Sequence, residues 1–168
     1  MSLVCQLRQL DADSAHRFID DPDEFLTHLD KLEKEEDGLD LDKAWHGLHY
    51  LLTGTAWAGQ EPACYLVAGG EQIGDEEEHD VGYGPARVLL PPQVAAFASA
   101  VSALTPAEIQ RRFNAAEMTK LKIYPEIWQA EGPEAQERYN YLAESAVELH
   151  SFLSNAAEQQ HAVVIYLS

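Results

Sequence analysis

Apolar residues recur every three or four positions through most of this chain, alternate near its start and run together at its end. Phe25, Leu26, Leu29 and Leu32 share one helical face, opened by Asp21 as N-cap and Pro22 at the first helical position. A shorter helix is expected from Asp11 to Ile19. Pro91 and Pro92 start another, with Val94, Phe97, Ala98, Val101 and Leu104 as its core face. "TPAE" at 105–108 reads as a capping box. Pro133 precedes the longest helix, about 134–157, whose stripe is Leu142, Ala146, Leu149, Leu153 and Ala156. Residues 3–10 read as a strand with Leu3, Cys5 and Leu7 on one face. The closing "HAVVIYLS" is continuously apolar and β-branched, as a strand covered on both faces would be. Residues 55–86 look irregular around a short buried segment, "CYLVA" at 64–68. The expectation is a helix-rich single α+β domain over 1–168. Its small sheet includes the N- and C-terminal strands, hydrogen-bonded to each other and covered by helices.

One helix carries unusual residues. In "DKAWHGLHYLLTG" (42–54), Leu41, Trp45, Leu48 and Leu52 share a core face at about 100° per residue. Beside them Asp42, His46, His49 and Thr53 form a second line, a polar seam flanking the core. Gly47 falls on the face opposite the core stripe. An interior glycine costs about 1 kcal/mol relative to alanine, so it suits a close approach of another segment or an exposed position. The histidines have two readings. They line a cleft as acid–base or hydrogen-bonding groups, or they are structural, with Asp42 paired to His46 and His49 bonded to a carbonyl in the core. No metal is expected, because zinc sites usually need three or four protein ligands and no partner loop supplies the rest.

"VGYGPARVLLP" is the second informative stretch. Gly82, Gly84 and Pro85 set a stiff turn that places Tyr83 and Arg87. A guanidinium there can hold a carboxylate or phosphate in a bidentate fork, or tie the turn to the fold. A buried guanidinium must find acceptors, and Asp42 on the histidine seam is the expected one. "KIYPEIW" contributes Tyr124 and Trp128, residues that serve either as core anchors or as a ligand platform. "VAGGEQIG" matches neither a Walker A loop nor GxGxxG, and GxSxG and HExxH are absent.

Charge narrows the function classes. The 168 residues hold 29 acids against 11 bases, a formal net charge of −18. Nucleic acid binding needs a basic surface, and so does an anionic membrane, so neither is expected as a partner. A basic protein partner, steered by the field, and a polar small molecule are the two classes left open. A strongly acidic surface also serves solubility alone. Cys5 and Cys64 form no CxxC, the start lacks a signal-peptide pattern, and no apolar run reaches transmembrane length. A cytoplasmic, reducing location is expected, with no cofactor.

"LDLDKAWHGLHYLLTG", "GYGPAR" before a proline-started helix, and "IYPEIW" together resemble the YfbM-like family of bacterial proteins, catalogued as a domain of unknown function. The resemblance covers nearly the whole chain. It implies one α+β domain, bacterial and cytoplasmic, and carries no activity or catalytic residue. The candidate binding residues are therefore Asp42, His46, His49, Tyr83, Arg87, Tyr124 and Trp128. The leading expectation is a small acidic module that engages another protein, in the manner of an inhibitor or immunity protein. The alternative is a small enzyme acting on a polar or anionic metabolite in a cleft, with His49 as acid–base and Arg87 as anchor.

Overall fold

The computed structural model describes residues 2–168. Both terminal segments form strands, β1 (Cys5–Leu10) and β5 (Ala162–Leu167), paired antiparallel from Cys5↔Leu167 to Leu10↔Ala162. Three short strands complete the sheet: β2 (Leu39–Asp40), β3 (Glu71–Gln72) and β4 (Arg87–Leu89). The order is β2-β1-β5-β4-β3, and every pairing is antiparallel. β5 therefore sits at the centre, as its unbroken apolar sequence requires. Its side chains divide between two cores. Val163 and Ile165 face the larger one, and Ala162, Val164 and Tyr166 the smaller.

Among the described residues, seven helices cover the two faces. α1 (Ala12–Asp20) and α2 (Pro22–Glu33) bury Phe18, Phe25 and Leu32 in the smaller core. Asp11 caps α1 by accepting from the Ser14 N–H at 2.8 Å, and Asp21 caps α2 from the Glu24 N–H at 3.2 Å. The larger core holds α3 (Trp45–Thr53), α4 (Pro91–Ser102), α5 (Pro106–Arg112), α6 (Ala115–Lys120) and α7 (Pro133–Glu158). Leu142, Ala146, Leu149, Leu153 and Ala156 of α7 are buried, as are Val94, Phe97, Ala98 and Val101 of α4. Thr105 caps α5 through the Glu108 N–H, but the reciprocal half of the capping box does not form. The Glu108 carboxylate turns instead to Arg111 and Arg112, two cations within reach one turn on.

Candidate functional site

Helix α3 is enclosed on all sides, with every residue from Trp45 to Leu51 buried. This corrects the expected polar seam. His46 and His49 are both fully buried, and Gly47 is too. A Cβ on Gly47 would lie 2.7 Å from Leu142 Cδ2 and 3.1 Å from Trp128 Cη2. The glycine is therefore the contact through which α7 and the 123–128 segment approach the helix. Asp42 leaves the seam as well. The helix begins at Trp45, and Asp42 has φ 47°, outside the right-handed helical range. The chain there still borders the sheet, because the Asp42 carbonyl accepts from the Cys5 N–H.

His46 uses both ring nitrogens. Its Nε2–H donates to the Ala56 carbonyl at 2.6 Å, and its Nδ1 accepts from the Tyr124 N–H at 2.8 Å. This fixes one neutral tautomer and joins α3 to two loops. Burial lowers its pKa below the ordinary histidine value, with the Ala56 bond opposing. The ring stacks on Trp45 at 4.9 Å between centroids and packs against Trp57 at 4.3 Å. Trp57 is 56% exposed and covers the buried ring from the solvent side. Thr53 Oγ1 donates to the His49 carbonyl and lies 3.3 Å from His49 Nε2. His49 Nδ1 is buried without a hydrogen-bond partner among the described residues. Burial pushes the His49 pKa down to about 4, the neighbouring His46 adding to the shift and the Ala58 backbone opposing it.

Arg87 does not reach Asp42. It opens β4 opposite Ile165, on the larger-core side of the sheet, and is half-buried. Its Nη1 donates to the Gly69 carbonyl at 2.9 Å and Nη2 to the Leu66 carbonyl at 3.2 Å. The guanidinium finds its acceptors, but in main-chain carbonyls at the end of the 64–68 segment, of which Cys64, Tyr65 and Leu66 are buried and Ala68 is exposed. Asp42 bonds instead to Tyr141 Oη at 2.8 Å. Arg87 and the histidines therefore belong to separate networks.

Tyr124 and Tyr83 stand at the end of the sheet where the chain enters and leaves. Tyr124 Oη accepts from the Leu3 N–H at 2.9 Å, and the Tyr83 N–H donates to the Leu167 carbonyl at 3.0 Å. The turn around Tyr83 is held by Asp80, whose Oδ1 accepts from the Gly82 and Gly84 N–H groups. The Tyr83 side chain is 58% exposed. Trp128 is buried and donates from Nε1 to the Ile123 carbonyl at 2.8 Å. Of the seven candidates, His46, His49, Tyr124 and Trp128 gather around α3, while Arg87, Tyr83 and Asp42 are tied elsewhere.

The acids are distributed unevenly, a feature that counting them along the whole chain does not show. Seventeen of the 29 lie in residues 11–37 and 71–80, with only three of the 11 bases, Arg17, Lys31 and Lys34. These two segments meet over the smaller core, where Ile73 packs with Phe18 and Phe25. His79 joins them: its Nε2 lies 3.5 Å from Asp23 Oδ1, and its Nδ1 accepts from the Asp75 N–H at 3.1 Å. All seventeen acids except Glu24 are exposed. Among the described residues no helix is long and apolar enough to cross a membrane.

The family model for a domain of unknown function, DUF1877, matches residues 1–166. Among solved structures, the protein of unknown function YfbM from Escherichia coli matches with a TM-score of 0.70 at 20% identity. The match covers 98% of this chain and 99% of that one. No curated protein matches. A family match over almost the whole chain and a fold shared with YfbM place this α+β protein in the YfbM-like DUF1877 family, a domain of unknown function.

Proposed function

We propose that this chain is a cytoplasmic, non-catalytic binding module, 1–168 acting as one unit, that engages a basic protein through the face built from α1, α2 and residues 71–80. The observation that carries this reading is the concentration of seventeen acids and three bases on two segments that meet over one side of the sheet. Such a surface steers a cationic partner and raises its encounter rate. The residues an enzyme of the alternative kind would use are occupied elsewhere. His49 is fully buried, and both donors of Arg87 that point at the 66–69 segment are bonded to main chain. Two free, buried cysteines suit a reducing compartment.

The test compares wild type with a variant carrying Asp75→Asn, Glu76→Gln, Glu77→Gln and Glu78→Gln. A partner identified by capture on wild type is purified and its association with both proteins measured. A basic protein whose association slows on the variant supports the reading. A partner that binds both equally, or turnover of a metabolite that is lost on His49→Gln, overturns it.

A further inference from the structure

Cations are scarce here, so those without partners are informative. Five of the 11 bases make no ion pair or side-chain hydrogen bond among the described residues. Lys31, Lys34 and Lys122 are exposed, where water solvates them. The other two, Lys43 and Arg138, are half-buried, and they line the same pocket of about 270 Å³. Lys43 comes from the turn before α3 and Arg138 from α7. Pro125 and Ile127, from the "IYPEIW" stretch, supply the apolar part of the lining. Two of the sequence blocks that mark this chain therefore meet at a place the acidic face does not use.

The pocket also contains Asp42, which is not in ion-pair contact with either cation. Its Oδ2 accepts from Tyr141 Oη at 2.8 Å, and the same oxygen of Tyr141 accepts from the Lys43 N–H at 3.1 Å. Burial and the Asp42 carboxylate raise the Tyr141 pKa, which keeps the phenol protonated and donating. Arg138 Nε is shielded from solvent and has no acceptor among the described residues. An unpaired buried donor costs about 1–3 kcal/mol, and native structures hold few of them. The two half-buried cations line the pocket against the single carboxylate of Asp42, which leaves one positive charge in excess. An anion would neutralise that excess, because the Nη groups of a guanidinium present several N–H donors to the oxygens of a carboxylate or phosphate.

We propose that this pocket binds a small organic anion, its carboxylate or phosphate head held by Arg138 and Lys43 and its apolar body against Pro125 and Ile127. At roughly 30 Å³ per water-sized volume, the space suits a ligand of on the order of ten non-hydrogen atoms. The site is independent of the acidic face and stands whether or not a protein partner binds there.

The experiment titrates the full chain, labelled with ¹⁵N-arginine, with phenyl phosphate and separately with phenylacetate, and follows the Nε–Hε resonances. The Arg138 signal is identified by its loss in Arg138→Lys. The expected result is a saturable shift of that signal with at least one of the two anions, while the exposed Arg111 signal stays put. Lys43→Gln should weaken the response about tenfold. The anion that binds tighter names the head group. No shift of Arg138 into the millimolar range with either anion overturns the proposal. So does an equal shift of Arg111, or unchanged affinity in a folded Lys43→Gln variant.

Discussion

The Tyr124 N–H donates to His46 Nδ1 at 2.8 Å, across 78 residues of sequence. A main-chain donor aimed at a ring nitrogen requires that nitrogen to be unprotonated. The imidazole must therefore be neutral, with its proton on Nε2 facing Ala56. Protonating His46 in place would break this bond and bury a charge.

A pH dependence follows from this relationship and from its neighbour. The folded-state pKa values of His46 and His49 both lie below 6.5, the latter at about 4. As pH falls through 6.5 the unfolded chain takes up protons that the folded chain refuses. The histidine contribution is therefore complete above about 6.5 and is lost progressively towards pH 4. For His49 the shift corresponds to on the order of 3 kcal/mol across that range. In urea unfolding between pH 7 and 4, His49→Gln should show a shallower decline than wild type, by up to about 1.4 kcal/mol per pH unit. Equal slopes would contradict the buried neutral pair.

Gly47→Ala separates a packed glycine from an exposed one. On an exposed helix the alanine would stabilise by about 1 kcal/mol. Here its methyl meets Leu142 and Trp128 at distances that force α7 or the indole to shift. Overpacking of this kind costs about 1–3 kcal/mol, so the net effect should be a lower Tm. A raised Tm would show that the helix face is open.

The Arg87→Ala variant should lose about 2–3 kcal/mol, because the Leu66 and Gly69 carbonyls each lose a charge-assisted donor. The effect should be local. Amide exchange in residues 64–70 should rise more than in α7, since Arg87 fastens that segment to β4. Uniform acceleration across the chain, or no change at all, would contradict the clamp.

Much of this fold was legible because its signals are local or periodic. The caps at Asp11, Asp21 and Thr105, the stripes of α4 and α7, and the all-apolar β5 each carry their physics within a few residues. The short strands β2 and β3 were not legible. Two residues give no alternation, and they exist only because β1 and β4 offer edges. The helix wheel of α3 misled for a related reason. It separates one core face from the rest, whereas this helix has neighbours on every side, so polar residues read as a seam became interior bonds. That a buried Arg87 needs acceptors follows from its chemistry, but no pattern within a sequence says that they are the Leu66 and Gly69 carbonyls and not Asp42. The acidic face was hidden because residues 11–37 and 71–80, far apart in the sequence, meet only in the folded chain, over the smaller core and at the His79–Asp23 contact.

The reading of that face as a docking surface is tested most directly by the salt dependence of the association rate with the captured partner. Exposed charges are screened beyond about 8 Å at physiological ionic strength, so steering fades as salt rises. The account predicts an association rate that falls steeply with salt for wild type. The slope should be clearly shallower when Asp75, Glu76, Glu77 and Glu78 are neutralised, with little change in dissociation. An association rate independent of salt, and equal in the two proteins, would contradict it.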